Sequence, residues 1–180
     1  LLGRDSVSPD SQLLGPGIRG AVVCVTGAGG SIGSELCRNI LNLHPSRLIL
    51  LDISEPALYA IEQELQVMLK SCQLISVLGS ASDAVLIQKL FNDHQVQVVF
   101  HAAAYKHVPL VEANPIAGLA NNVCSTRVVC RAALSSDVRE VVMISTDKAV
   151  RPTNVMGATK RLAELVVQSF AAEAAQRTPG

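Results

Sequence analysis

The sequence predicts an α/β domain built on a doubly wound parallel sheet. Two observations support this prediction: short apolar segments alternate with longer helical patterns from Ala21 onward, and a glycine-rich turn joins the first segment to the first helix. Strict alternation with short connections favours right-handed crossovers and a parallel sheet covered by helices on both faces. At 180 residues, with 49% hydrophobic and 17% charged residues, the chain has enough apolar material for one such core.

The boundaries of the elements follow from where apolar runs begin and where glycine, proline or polar residues interrupt them. Strands buried on both faces are expected to be near-continuous apolar runs, and the short apolar segments fit that description. In chain order the sequence predicts strand 21–26, helix 31–43, strand 47–52, helix 55–70, strand 73–78, helix 83–93, strand 96–101, helix 115–134, strand 138–145 and helix 155–175.

Composition and charge exclude several classes of function. The formal net charge is zero and no block of lysine or arginine is present, so no broad positive surface for nucleic acid or membrane is expected. The five cysteines form no C-x-x-C pair, which predicts reduced core thiols and no metal site. No apolar run approaches the ~18 residues of a membrane-spanning helix.

The glycine-rich turn after the first strand places Gly27, Gly30 and Gly33 in a G-x-x-G-x-x-G pattern. Such a run lets the backbone turn tightly and brings the start of the next helix, at Ser31 and Ile32, close to a pyrophosphate. The spacing departs from G-x-G-x-x-G, so an ordinary glycine-rich turn is the alternative. A G-x-x-x-x-G-K-[ST] loop is absent, which disfavours a P-loop nucleotide hydrolase.

Asp52 ends the second predicted strand, where a carboxylate can accept hydrogen bonds from both hydroxyls of an adenosine ribose. The same charge would repel a 2′-phosphate, which favours NAD over NADP. The alternative role for Asp52 is to cap the helix that starts at Glu55, although Ser54 could provide that cap itself.

Acid, base and hydroxyl groups come directly after the last predicted strand. They are Thr146, Asp147 and Lys148, while Met156 and Lys160 share one face of the last predicted helix. Because ligands of open α/β sheets bind beyond the carboxyl ends of the strands, we expect the two segments to converge on an active site. The alternatives are an exposed Asp–Lys turn pair and a methionine that packs in the core.

Three segments together resemble the extended short-chain dehydrogenase/reductase family, and more narrowly the CapD-like nucleotide-sugar 4,6-dehydratases of bacterial polysaccharide biosynthesis. The segments are VTGAGGSIGSE at 25–35, HAAAYKHVP at 101–109 and STDKAVRPTNVMG at 145–157. The resemblance implies a Rossmann-like fold, a bound NAD cofactor and a UDP-sugar substrate, with UDP-N-acetylglucosamine as the expected sugar nucleotide.

The resemblance also implies a reaction and a role for each candidate residue. The C4 hydroxyl of the sugar is oxidised by NAD, water is eliminated across C5 and C6, and the hydride returns to C6. Thr146 would hydrogen-bond the C4 oxygen, Asp147 would be the acid toward the C6 hydroxyl, and Lys148 would take the C5 proton. Lys160 would hold the nicotinamide ribose. Met156 stands where most members have the catalytic tyrosine, so Asp147 or another nearby group would be the oxidation base.

Further contacts follow from the same resemblance. Lys106 and His107 would border the sugar, and Asn122 would support the active-site backbone unless it is an ordinary polar helix residue. Ser80 stands where the family usually has an adenine-binding aspartate, and Asp83 is expected only to cap the next helix. The implied cofactor contacts are Gly27, Gly30, Ser31, Ile32, Gly33, Asp52, Ser80, Ala81, Ala102, Ala103, Ala104, Asn122 and Lys160.

Two other functions stay open. A nucleotide-sugar 4-epimerase needs oxidation and hydride return without elimination, and the pair of Asp147 and Lys148 argues against it. A non-catalytic dinucleotide-binding module is the second alternative, and in that case Met156 would mark the loss of catalysis.

Residues 1–20, rich in serine, proline and glycine, are predicted to be a leader, and 21–180 a partial NAD-binding domain that stops before a C-terminal substrate subdomain. Such a fragment would be inactive alone. The resemblance implies a cytoplasmic domain of a protein anchored in the bacterial inner membrane, with no direct membrane contact of its own. The apolar helices at 115–134 and 155–175 are compatible with a homo-oligomer.

Overall fold

The computed structural model describes residues 17–69 and 71–177. Their strands form a 5-stranded sheet in the order β3-β2-β1-β4-β5, and the neighbouring strands pair in parallel. This is the doubly wound, Rossmann-like fold that the sequence predicts. The strands are β1 Val22–Thr26, β2 Arg47–Asp52, β3 Gln73–Leu78, β4 Val98–His101 and β5 Glu140–Met143.

Helices pack on both faces of the sheet, because successive strand residues point to opposite sides. Val23 and Val25 lie in one apolar core with α1 and α2, while Cys24 lies in a second core with α3 and α6. The helices are α1 Ser31–Asn42, α2 Glu55–Met68, α3 Ala84–His94, α4 Val108–Ala113, α5 Pro115–Leu119, α6 Ser125–Leu134 and α7 Val155–Arg177. A π-helical turn, Ala120–Cys124, joins α5 to α6, and a 3₁₀ turn, Asp147–Ala149, precedes α7.

The predicted elements differ from the observed ones mainly on the carboxyl side of β4. The predicted helix at 115–134 is interrupted by the π-helical turn Ala120–Cys124, and α4 was not predicted. Strand β4 begins at Val98 and not at residue 96, and β5 spans Glu140–Met143 where the prediction was 138–145. The predicted helix at 55–70 ends at Met68, and residue 70 lies outside the described residues.

The last residues of the predicted leader pack against the domain. Residues 1–16 lie outside the described residues, but Ile18 is buried in the first core with 6% exposure. The backbone N–H of Gly20 donates to the carbonyl of His44 at 2.9 Å, and that of Ala21 donates to Ile18 at 3.0 Å. Ile18, Gly20 and Ala21 therefore already contact the rest of the domain, while the predicted boundary at residue 21 stays a prediction.

Within the described ranges all cysteines are free thiols, and Cys24, Cys37 and Cys130 are buried. Burial raises the pKa of Cys37 to about 12 and that of Cys130 to about 11, so both stay protonated at neutral pH. No cluster of metal-binding side chains occurs in the same ranges, and none of their helices is long and apolar enough to span a membrane.

The strand order creates a crevice between β1 and β4. The chain runs outward from β1 to β3 and then returns to the other side of β1, so the connections after β1 and β4 leave in opposite directions. Thr26 and His101 are register partners at the carboxyl ends of these two strands. Ligands of this class of fold bind at such a switch point, which directs attention to the loops after β1, β2, β4 and β5.

Candidate active site

The glycine turn between β1 and α1 is packed too closely for side chains. Gly27 has φ +68°, and a Cβ at this residue would lie 2.7 Å from the backbone nitrogen of Ala103. A Cβ at Gly33 would lie 1.9 Å from the carbonyl oxygen of Gly27. The turn is therefore held between the first turn of α1 and the segment after β4, and only glycine fits at these two positions.

Asp52 joins the end of β2 to the glycine turn. Its Oδ2 accepts a hydrogen bond from the N–H of Gly29 at 2.8 Å, and its Oδ1 accepts one from the N–H of Ser54 at 2.9 Å. Ser54 makes no capping bond with its own side chain. The carboxylate thus fixes the glycine turn and the N-cap residue of α2, but its bond to Ser54 does not cap the N–H groups of the helix itself.

A cleft of about 230 Å³, here called the glycine cleft, lies along these loops. Ser31 and Ile32 are exposed in the first turn of α1, and Gly33 is buried beneath it. Asp83 caps α3, as predicted, by accepting from the N–H groups of Val85 and Leu86. The predicted cofactor residues that line the cleft are Gly27, Gly30, Asp52, Ser80, Ala81, Ala102, Ala103 and Ala104.

A buried hydrogen-bond chain runs beneath the crevice through His101, at the carboxyl end of β4. Thr126 Oγ1 donates to the carbonyl of Asn122, so it accepts from His101 Nε2 at 3.1 Å. The other ring nitrogen, Nδ1, then accepts from the hydroxyl of Thr26 at 2.7 Å. Burial, together with the charge of Lys160, lowers the pKa of His101 from 6.5 to about 3, which keeps the imidazole neutral.

The buried hydrogen bonds of His101 predict that acid lowers the free energy of unfolding. The unfolded protein binds a proton at His101 below pH 6.5, whereas the folded protein binds it only near pH 3. The stabilisation is therefore complete above pH 6.5 and falls with pH across that window, by about 1.4 kcal/mol per pH unit. Urea unfolding between pH 7 and 4 should show a smaller pH dependence for His101→Asn than for the wild type.

The matched control for that experiment is His44→Asn. His44 is exposed and has a left-handed φ of 58°, a conformation that asparagine tolerates. We expect this variant to keep the wild-type pH dependence. An equal change in both variants would show that His101 is not responsible for the acid sensitivity.

Asn122 is buried in the π-helical turn and holds the segment after β4. Its Oδ1 accepts from the N–H of Tyr105 at 2.7 Å, and its Nδ2 donates to the carbonyl of Tyr105 at 3.0 Å and to Thr159 Oγ1 at 2.9 Å. Asn121 Nδ2 also donates to Asn122 Oδ1 at 3.1 Å. Because both amide groups have protein partners, Asn122 holds the backbone of the segment after β4, and direct contact of Asn122 with a cofactor stays a prediction.

The segment after β5 presents the predicted acid, base and hydroxyl side chains. The N–H of Ile144 donates to the carbonyl of His101 at 3.0 Å, so this segment leaves the sheet beside the residues that follow β4. Residues 146–149, here called the Asp147 turn, come next. Thr146 Oγ1 donates to Asp147 Oδ1 at 3.0 Å, and Lys148 Nζ lies 3.7 Å from the same oxygen.

The Asp147 turn is open to solvent, with 90% of the Asp147 side chain and 52% of the Lys148 side chain exposed. The hydrogen bond from Thr146, and then the charge of Lys148, lower the pKa of Asp147. Without a substrate the turn thus resembles the exposed ion pair that the sequence offered as an alternative. A catalytic role needs a ligand that changes these contacts.

Lys160 and Met156 are both buried on α7, at 7% and 3% exposure. Lys160 Nζ donates to the carbonyl of Ile144 at 2.6 Å, and burial lowers its pKa while the charge of Glu164 opposes that shift. Met156 packs in the interior. Core packing is the alternative to a catalytic role that the sequence left open. The Asp147 turn meets the same helix at Gly157, where a Cβ would lie 2.2 Å from the carbonyl oxygen of Lys148.

Lys106 and His107 line a second cleft of about 460 Å³, here called the Lys106 cleft. Ala104 and Tyr105 line both this cleft and the glycine cleft, so the two share a wall. A cavity of about 440 Å³ lies elsewhere, beside the amino end of β5 between α6 and α7. Ligands of doubly wound sheets bind at the opposite, carboxyl end, so that cavity is not part of the candidate site.

Comparison with known proteins identifies the family. The family described as "Polysaccharide biosynthesis protein" matches residues 23–179. The chain belongs to this family. Capsular polysaccharide biosynthesis protein CapD of Staphylococcus aureus is 45% identical over 171 residues, which are 94% of this chain and 28% of CapD. The predicted resemblance to CapD-like extended short-chain dehydrogenases/reductases is thereby confirmed.

Two further proteins that are similar to this member of the polysaccharide biosynthesis family are named for two different activities. UDP-glucose 4-epimerase of Rickettsia prowazekii is 32% identical over 160 residues, 87% of this chain and 44% of the epimerase. DesIV of Streptomyces venezuelae, a dTDP-glucose 4,6-dehydratase solved with NAD and TYD bound, has a TM-score of 0.75 and 25% identity, covering 83% of this chain and 51% of DesIV. The chain therefore spans about half or less of these proteins.

Proposed function

We propose that the chain is the NAD-binding part of a UDP-sugar 4,6-dehydratase, with UDP-N-acetylglucosamine as the substrate. One observation carries the proposal: a hydroxyl, a carboxylate and an amine adjoin one another in the Asp147 turn, at the carboxyl end of β5. C5/C6 elimination needs a base for the C5 proton and an acid for the C6 hydroxyl. Lys148 supplies the base, Asp147 the acid, and Thr146 a donor to the C4 oxygen.

The glycine cleft fits a nicotinamide dinucleotide. A Cβ at Gly27 would clash with the backbone of Ala103, and one at Gly33 would clash with that of Gly27. This tight packing holds the start of α1 beside the cleft, which supports a backbone that approaches a pyrophosphate closely. Asp52 lies in the cleft at the place expected for ribose hydroxyls, and DesIV has NAD bound. When bound, NAD supplies the oxidant for C4 and the hydride for C6. Lys160, desolvated on α7, is positioned for the nicotinamide ribose in this proposal.

Contact with the substrate raises the pKa of Asp147 in this proposal. In the free chain the Thr146 hydroxyl donates to Asp147, and this bond is the largest cause of the low pKa of that carboxyl. A C4 oxygen that accepts the same hydroxyl proton removes the bond, and desolvation by the sugar raises the pKa further. Asp147 then takes a proton from the ammonium of the adjacent Lys148, so the carboxyl can act as the acid toward the C6 hydroxyl and the neutral amine can take the C5 proton.

The charge of Asp52 predicts the choice of cofactor. We expect the chain to bind NAD at least tenfold more tightly than NADP, since the carboxylate repels a 2′-phosphate, and tenfold corresponds to about 1.4 kcal/mol. Asp52→Asn removes the charge and should narrow this ratio, with weaker NAD binding because one of the two bonds to Gly29 and Ser54 is lost. Calorimetric titration with both cofactors measures the ratio, and equal ratios in the two proteins would contradict this role.

A 4-epimerase is the second candidate. The Rickettsia relative favours it, and so does the ionised state of Asp147 in the free chain, because epimerisation needs no acid at C6. The two activities differ in the product: the dehydratase gives a 4-keto-6-deoxy sugar lighter by one water, and the epimerase gives a C4 epimer of unchanged mass. The test is to incubate the full-length protein with NAD and UDP-N-acetylglucosamine and to measure the mass of the sugar-nucleotide product.

The remaining parts of the proposal concern the full-length protein. Sugar contacts from Lys106 and His107, membrane anchoring outside this chain and pairing of copies through α6 and α7 are proposed on the resemblance alone. The Lys106 cleft supports the first of these, because it shares Ala104 and Tyr105 with the glycine cleft and thus brings a sugar site next to the cofactor site.

A further inference from the structure

Glu164 lies on α7 one turn beyond Lys160 and contacts the segment that leads into the Asp147 turn. Its Oε1 accepts a hydrogen bond from Ser145 Oγ at 2.5 Å, and its Oε2 accepts one from Arg161 Nη1 at 2.9 Å. Lys160 Nζ donates to the carbonyl of Ile144 at 2.6 Å. Two side chains one helical turn apart therefore hold the two residues that precede Thr146.

The same helix also contacts the Asp147 turn from its other end. The carbonyl of Lys148 approaches Gly157 so closely that a Cβ there would lie 2.2 Å from the oxygen. Contacts with α7 thus lie upstream of the turn at residues 144–145 and downstream of it at 148. Thr146 and Asp147 are bracketed between these contacts, so the position of α7 determines where their side chains point.

The charge of Glu164 acts on Lys160 as well. Burial disfavours the ammonium form of Lys160, and the carboxylate of Glu164 counteracts this effect. Lys160 in turn helps to lower the pKa of His101 on β4, which is buried and neutral. Removal of the negative charge at residue 164 therefore leaves the ammonium with less support.

We propose that Glu164 is a positioning residue of the candidate active site, which fixes the Asp147 turn through Ser145 and lies one helical turn from Lys160 on α7. The inference rests on the proposed function only in taking this turn as the catalytic segment. The alternative is an ordinary surface ion pair with Arg161, which would contribute little. The bond to Ser145 distinguishes the two, because it joins α7 to the segment that follows β5.

Amide hydrogen exchange in the full-length protein tests the positioning role. Glu164→Ala and Ser145→Ala should each raise exchange of residues 146–149 about tenfold, because the upstream contact is lost. Glu164→Gln should change exchange little, since the glutamine Oε1 still accepts from Ser145. The matched control is Glu173→Ala, which removes an ion pair with Arg177 at 2.5 Å more than two turns further along α7. Equal exchange in Glu164→Ala and Glu173→Ala would overturn the proposal.

The pH dependence of NAD binding tests the charge effect separately. Glu164→Gln should move the alkaline loss of NAD affinity to lower pH by about half a unit or more, whereas Ser145→Ala and Glu173→Ala should not. An unmoved profile in Glu164→Gln would overturn this part of the proposal. If the wild-type protein converted no UDP-sugar, the proposed function would fail, but the exchange and binding results would still decide the role of Glu164.

Discussion

Replacement of Lys148 by alanine in the full-length protein is expected to slow water elimination about 10²–10⁴-fold, because no other side chain of the Asp147 turn can take the C5 proton while Asp147 serves as the acid. Lys148 is 52% exposed and its side-chain contact is with Asp147 at 3.7 Å, so its removal should leave folding intact. NAD affinity should stay within about twofold of the wild type, since Lys148 does not line the glycine cleft.

The matched control for Lys148→Ala is Lys89→Ala. Lys89 is also exposed, at 71%, and pairs with Asp93 at 2.6 Å on α3, remote in sequence from the candidate site. This variant removes the same side chain and an ion pair of the same kind, which contributes little to stability. We expect wild-type elimination rates from it. Equal rates in Lys148→Ala and wild type would remove Lys148 from the reaction, and equal losses in both lysine variants would indicate a nonspecific effect.

Gly33→Ala is expected to have the largest effect on the fold and on cofactor binding together. The added Cβ would lie 1.9 Å from the carbonyl oxygen of Gly27 and 2.7 Å from its carbonyl carbon, so backbone atoms must move. We expect a loss of about 1–3 kcal/mol in the free energy of unfolding, as for overpacked cores, and at least tenfold weaker NAD binding. Urea unfolding and calorimetric titration measure the two effects.

Gly17→Ala is the control for the glycine turn. A Cβ there meets only Glu140 Oε2, at 3.7 Å, an ordinary van der Waals distance. We expect the free energy of unfolding to change by less than about 0.5 kcal/mol and NAD affinity to be unchanged. If Gly33→Ala resembled Gly17→Ala in both measurements, the close packing of the glycine turn would not be what shapes the cofactor site.

Hydrophobic pattern predicted the sheet well because strands buried on both faces need continuous apolar runs. Val23, Val25 and Cys24 are all fully buried, on alternate faces, and the sequence placed them in one strand. The π-helical turn could not be predicted, since one additional residue per turn leaves the apolar composition of 115–134 unchanged. Helix α4 is only 6 residues long, too short for a periodic signal.

The candidate site was predicted in its residue types but not in its supporting contacts. Thr146, Asp147 and Lys148 are adjacent in sequence, so their proximity followed from their order. The contact of Asp52 with Gly29, and that of Glu164 with Ser145, join residues distant in sequence, so they depend on how the elements pack. The spacing of Glu164 one turn after Lys160 is the only sequence signal that could have indicated it, and such spacing is common on helices.

For Asn122 and Met156 the sequence predicted a location near the site, but it did not predict what their side chains contact. Sequence placed both near the site, and the structure buries both, at 2% and 3% exposure. The amide of Asn122 is taken up by Tyr105, Thr159 and Asn121, which makes it a support of the loop after β4. A buried thioether at Met156 cannot accept a hydroxyl proton, so the proposed oxidation at C4 requires another group as the base.

The central claim, elimination at C5 and C6 with return of the C4 hydride, is tested most directly by isotope tracing. The full-length protein would be given NAD and UDP-N-acetylglucosamine that carries deuterium at C4, and the product would be examined by mass spectrometry and NMR. A 4,6-dehydratase gives a product lighter by one water with the deuterium at C6. A C4 epimer of unchanged mass with the deuterium still at C4, or no conversion at all, would contradict the claim.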